Sequence, residues 1–171
     1  MSNPIVSIQG LSYQYALTET PALRAVSLDI AEGEYVAVMG SCGAGKTTLC
    51  LSLNGIVPHM MAGGMEGQVF VAGQDTTRTS VRELARIVGM VFDNPEFQLS
   101  QVTAREEIAL GLENTGVPRA EMLRRIDEVL GLVGLTGFAD RSPLAMSGGQ
   151  QQRLAIAAAL AMYPRVLVLD E

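Results

Sequence analysis

Apolar and polar residues alternate along residues 5–15 and again along 25–30, the period-two pattern of strands with one face buried. These two runs predict an antiparallel β layer at the front of the chain. The turn Ala31-Glu32-Gly33-Glu34 leads into a continuous apolar run at 35–39, which predicts a buried strand, followed by a helix-capable segment from Thr47 to Leu53. Residues 67–73 predict another short strand bounded by glycine, whereas the Met- and Gly-rich connection before it, 58–64, carries no assignable pattern. Ser80 and Glu83 form a capping box opening a short helix, and the apolar residues 87–92 predict the next strand.

Beyond Asn94 the period changes. Thr103 and Glu106 form a second capping box for a helix running toward Leu112, and Pro118 opens a third helix on which Met122, Ile126, Val129, Leu130 and Val133 keep helical spacing. Glu121 and Arg125 sit four apart on its outer face, a pairing that contributes roughly 0.3 kcal/mol. An apolar helix over 154–163 and a final apolar strand, 166–169, complete the pattern. Helix alternating with buried strand predicts an α/β sheet. The expected organisation is a β layer with the first part of the core at 1–93, a helical subdomain at 94–146, and a last helix and strand at 147–171.

The chain has 171 residues, 48% of them hydrophobic and 18% charged, enough to bury the core of one ordinary domain. Its net charge of −6 and lack of a basic cluster argue against a nucleic-acid partner; Arg124 and Arg125 read as a solvated helix face. The two cysteines, Cys42 and Cys50, cannot build a disulfide framework, which favours a reducing compartment, the cytoplasm. The first basic residue is Arg24, so no signal-peptide n-region is expected and the N-terminus reads as mature. The long uncharged run at 47–65 carries Asn54, Pro58, His59 and three glycines, costly in lipid, so a membrane role requires a partner. His59 reads as a loop histidine.

Candidate chemistry concentrates in three places. Gly40-Ser41-Cys42-Gly43-Ala44-Gly45-Lys46-Thr47-Thr48 fits G-x-x-x-x-G-K-[ST], in which glycines let backbone N–H groups turn toward a phosphate at a helix start. Lys46, the only lysine in the chain, supplies a compact charge, and the Thr47 hydroxyl is a hard ligand suited to Mg²⁺. Asp170 and Glu171 end the last apolar strand, where a phosphate-loop enzyme needs one acid for Mg²⁺ and one to orient or deprotonate the attacking water. Ser147-Gly148-Gly149-Gln150 opens the last helix as a second anion-binding N-terminus, the alternative being an ordinary N-cap.

With these motifs in view, the sequence resembles the ATP-binding subunit of ABC transporters over nearly its whole length, Met146-Ser147-Gly148-Gly149-Gln150 corresponding to the family signature. The resemblance implies an α/β P-loop NTPase fold with a RecA-like core, an N-terminal antiparallel β layer and a helical subdomain, the C-terminal part of the core lying beyond Glu171. It implies ATP and Mg²⁺ as cofactors and a head-to-tail pair of ATPase subunits, with Ser147, Gly148, Gly149 and Gln150 facing the nucleotide of the opposite subunit. Tyr15 matches the aromatic residue that stacks on adenine, with Tyr13 as competitor. Asp93 stands where the family has a glutamine that couples nucleotide to membrane partner and touches Mg²⁺ or the attacking water; a shifted register would give that role to Gln98 or Gln101. The stretches 91–98 and 106–114 look like the energy-coupling-factor branch, whose members import vitamins and transition-metal ions.

These features predict the ATP-hydrolysing subunit of an importer, held at the cytoplasmic face of the membrane by a transmembrane subunit docked on the helical subdomain near residues 94–101. The chain stops before the family's switch histidine, so the 171 residues alone are expected to be inactive. The alternatives are a soluble ABC ATPase acting on DNA or ribosomes, and a nucleotide-binding fragment without turnover. The interval from Asp93 to Ser147 is too short for the long heptad arms of a DNA-repair type.

Overall fold

A computed structural model describes residues 3–170. Chain contacts divide it into two compact units, the described residues through Val88 together with Asp170, and Gly89–Leu169.

The first unit is built on a four-stranded antiparallel sheet of order β2-β1-β3-β4, comprising β1 (Val6–Tyr15), β2 (Leu23–Ile30), β3 (Gly63–Val71) and β4 (Gln74–Asp75). Val6 of the central strand faces Ile30 on one side and Val71 on the other. The loose alternation of β1 has a local cause. Val6 and Ile8 point inward, as do Leu11 and Tyr13, and the ladder slips between the two pairs at Gly10, whose φ of 61° only glycine adopts without strain. The bulge restores the phase, so four apolar side chains reach the same core.

The same unit contains α1 (Lys46–Leu53), α2 (Ile56–His59) and α3 (Val81–Leu84). Leu49, Leu51, Leu53, Val57 and Leu84 are buried. The Ser80 and Glu83 capping box forms as expected, with the Ser80 hydroxyl accepting from the Glu83 N–H and the Glu83 carboxylate accepting from the Ser80 N–H. The unassigned stretch 58–64 contains the end of α2 and the start of β3. His59 ends α2 rather than lying in a loop, and its Nε2–H donates to the Thr76 carbonyl at 2.8 Å.

One expected strand is absent. Residues 34–40 carry no ladder, and Tyr35 and Met39 are 92% and 90% exposed. An apolar run becomes a strand only when a neighbour supplies the paired N–H and C=O groups, and no described strand lies beside this one.

The second unit contains all but the first residue of β5 (Val88–Val91), with α4 (Pro95–Gln98), α5 (Ala104–Asn114), α6 (Arg119–Leu132), α7 (Gly148–Ala161) and β6 (Val166–Leu169), and β5 is paired to β6. Its core joins Ile108 and Leu112 of α5, Ile126, Val129 and Leu130 of α6, and Leu154, Ala157 and Ala161 of α7. The small alanines let α5 and α6 approach α7 closely. The Thr103 and Glu106 capping box forms. The last helix starts at Gly148 and ends at Ala161, earlier at both ends than the apolar pattern indicates, and Tyr163 lies beyond it with φ 52°. Glu121 binds both Arg124 and Arg125, Arg125 also donates to the Ala161 carbonyl and lies 4.1 Å over the Tyr163 ring, and the Tyr163 hydroxyl donates to Glu128. The two guanidinium hydrogen bonds hold the Glu121 carboxyl down at about 2. Arg124 and Arg125 thus form a network fastening α6 to the end of α7, more than a solvated face.

Candidate functional site

Gly40, Ser41, Cys42, Gly43 and Ala44 form an exposed loop closed by an Ala44 N–H to Ser41 carbonyl bond of 3.1 Å. Gly45 follows as the N-cap of α1, with φ 95°, and a Cβ there would run into the Ala22 carbonyl and the Leu23 side chain. Only glycine satisfies both the left-handed backbone and that approach. The cap brings no side-chain acceptor, so the first-turn N–H groups of α1 face outward at the positive end of the helix dipole. The Lys46 ammonium folds back over the loop and donates to the carbonyls of Gly40 and Ser41 at 3.2 and 3.3 Å. Thr47 is exposed, while Thr48 is buried. An outward-facing helix start beside a lysine is an anion-binding geometry.

Tyr15 is half-buried and tied to this helix, its hydroxyl 3.0 Å from the Thr48 Oγ1. Tyr13 packs edge-on against it, with ring centroids 4.9 Å apart, and donates its hydroxyl to the Met61 carbonyl. Burial, and secondarily the neighbouring Tyr15, push the Tyr13 phenol up. Because Tyr13 is fully buried, its ring has no face to offer a ligand.

Asp170 is 3% exposed, and its Oδ2 is buried without a hydrogen-bond partner among the described residues. A buried carboxylate left so costs several kcal/mol unless a cation or proton compensates it (of order 1–3 or more). Its charge reaches α1: burial and then Asp170 raise the Cys50 thiol to about 11. Among the described residues no group of three or more His, Cys, Asp or Glu side chains could hold a metal ion. One hydroxyl and one carboxylate instead suit Mg²⁺, which keeps waters and substrate phosphates as its remaining ligands. Glu171 lies outside the described residues.

In the second unit, Ser147 caps α7, and the Gln150 side chain reaches back to accept from the Ser147 N–H at 3.0 Å. Two further side chains brace this turn. The buried Gln151 donates to the Pro143 carbonyl at 3.0 Å, and Arg153 reaches the carbonyls of Gly149 and Val133 at 3.3 and 3.4 Å. Sequence reasoning missed both; a polar residue on the inner face of an otherwise apolar helix, as Gln151 is, was the available signal. Asp93 is exposed two residues beyond the end of β5. Gln98, its alternative, spends its amide on backbone, and Gln101 bonds the Ser100 hydroxyl through Nε2 at 3.0 Å.

A mixed α/β fold with a glycine-lined loop opening an uncapped helix defines the class, a P-loop NTPase. Within it, the chain belongs to the ABC transporter family, whose profile matches residues 23–171. It is 44% identical over 167 residues to the energy-coupling factor transporter ATP-binding protein EcfA1 of Lacticaseibacillus paracasei, covering 98% of this chain and 58% of that protein. Among solved structures it is similar to CbiO1 of Clostridium perfringens, described as part of the ABC transporter complex CbiONQ, with TM-score 0.84, 31% identity and coverage of 99% of this chain and 66% of that one. It is also similar to an ATP-binding cassette solved as a dimer in a post-hydrolysis state with ADP and Pi, with TM-score 0.82, 31% identity and coverage of 97% and 73%. The chain spans about 60% of the length of the EcfA1 relatives it matches and 28–30% of two longer curated relatives. No described helix is long and apolar enough to cross a membrane.

Proposed function

We propose that this chain carries the nucleotide site of an ATPase subunit that drives an ABC importer of the energy-coupling-factor type, for a vitamin or a transition-metal ion. The observation that carries the reading is the uncapped start of α1 under the loop holding Lys46. Gly40, Ser41, Cys42, Gly43, Ala44, Gly45 and Thr48 cradle the ATP phosphates, Lys46 leaves its loop carbonyls to neutralise them, and Tyr15 stacks on adenine. Thr47 and Asp170 would hold Mg²⁺, the buried, unpartnered Asp170 oxygen fitting that use; when bound, the metal offsets phosphate charge. Glu171 orients or deprotonates the attacking water. Asp93, shorter than glutamine by a methylene, would reach the metal or that water less directly and would add negative charge near the γ-phosphate.

Ser147, Gly148, Gly149 and Gln150 contact the nucleotide on a second ATPase subunit, so that two chains close head to tail. A transmembrane subunit docks on residues 94–101, where Phe97 stands 89% exposed, and holds the ATPase at the cytoplasmic face of the membrane. Domain limits at 93 and 146 follow from this division of roles.

Titration calorimetry with Mg·ATP tests the site. Lys46→Ala removes the charge that offsets the phosphates and should abolish measurable binding, a loss of at least about 2 kcal/mol for a charged hydrogen-bonding partner. Equal affinity in variant and parent would remove the assignment.

A further inference from the structure

Gln98 makes an unusual pair of bonds. Its Oε1 accepts from the Phe92 N–H and its Nε2 donates to the Met90 carbonyl, both at 3.2 Å. In an extended strand these two backbone groups flank one residue, here Val91, and point to the same edge. A neighbouring strand in parallel register would bond them in the same way. The side chain of α4 therefore takes the place of a strand partner at the end of β5, immediately before Asp93.

The rest of α4 is fastened on both sides. Asn94 caps it by accepting from the Glu96 N–H at 3.1 Å, Pro95 fixes its first residue, and the buried Glu107 carboxylate accepts from the Ser100 and Gln101 N–H groups at 2.8 Å each. Phe97, next to Gln98, projects into solvent. A force applied to Phe97 thus has a short hydrogen-bonded route to the backbone that carries Asp93. The connecting chain itself, 93–95, is a second route, but it turns through an exposed loop at Asp93.

We propose that Gln98 is a positioning residue that carries displacement of the α4 face to Asp93. This rests on the reading that α4 takes the membrane subunit, and it gives that docking a regulatory consequence: occupancy of the α4 face sets where Asp93 stands. Asp93 holds the functional position and Gln98 holds the backbone at Met90 and Phe92 that leads to it.

Amide NMR on the 171-residue chain tests the link without any partner. Gln98→Met keeps the length and removes both bonds, so the Phe92 amide should exchange at least about tenfold faster. Phe97→Ala should displace the Asp93 amide resonance in the parent and leave it in place in the Gln98→Met background; the same displacement in both backgrounds overturns the proposal. Gln98→Glu gives a second test should the methionine variant not fold. A protonated carboxyl both donates and accepts, whereas an ionised one only accepts. The Phe97→Ala displacement should therefore return as pH falls through the introduced carboxyl's pKa and vanish above it; a pH-independent response contradicts the link. Failure of the docking reading looks different: Phe97→Ala would leave co-sedimentation of the chain with native membranes unchanged while the NMR link persists.

Discussion

The starts of α1 and α7 are both glycine-rich helix N-termini, yet they are built in opposite ways. At α1 the cap is Gly45, in a left-handed conformation and pressed against Ala22, with no side chain returned to the backbone. At α7 the Gln150 side chain closes on the Ser147 N–H, and Gln151 and Arg153 brace the turn from below. Neither Gly148 nor Gly149 has a positive φ, and a Cβ on either would meet open space. Gly45 is thus required by the protein's own backbone, whereas the glycines of α7 answer no internal demand. In the proposed reading, α7 keeps them small for a surface that comes from outside, the nucleotide of a second subunit.

Substitution should separate the two. Gly45→Ala forces an L residue to positive φ and into a backbone carbonyl, which should cost about 2 kcal/mol or more of stability and with it Mg·ATP binding, read by thermal melting and calorimetry. Gly148→Ala should do the reverse, raising helix stability by up to about 1 kcal/mol while leaving ATP binding by the single chain unchanged. A destabilised Gly148→Ala chain would break the contrast.

The smallest effect concerns the far end of α7. Glu121, held at about 2 by Arg124 and then Arg125, has a folded pKa below its unfolded value of about 4.3. Its contribution is fully present above the unfolded value and is lost as pH falls from there through about 2. Acid should therefore loosen the α6 attachment at Arg124, Arg125 and Tyr163, and Glu121→Gln should remove that part of the pH dependence, measured by amide exchange in α6.

What the sequence made legible follows the range of each interaction. Both capping boxes, the Gly40 to Thr48 loop and the helical spacing of α6 depend on residues within a few positions of each other, and they read directly. The strand expected at 35–39 did not form, because its apolar character states a demand for a neighbour without supplying one. Gln98 was readable only as a rival to Asp93, since its bonds to Met90 and Phe92 depend on how the chain turns at Pro95. The orphaned Asp170 oxygen likewise depends on burial that no local pattern encodes.

If nucleotide lies on the loop at Cys42, as proposed, the chain carries its own reporter and its own control. Cys42 is exposed, while Cys50 is half-buried with its thiol raised to about 11, leaving about a thousandth as thiolate at pH 8. Alkylation at pH 8, followed by peptide mass spectrometry with and without Mg·ATP, reads both sites at once. Saturating ATP should slow modification of Cys42 severalfold while Cys50 stays slow throughout; an unchanged rate at Cys42 with ATP bound would place the nucleotide elsewhere.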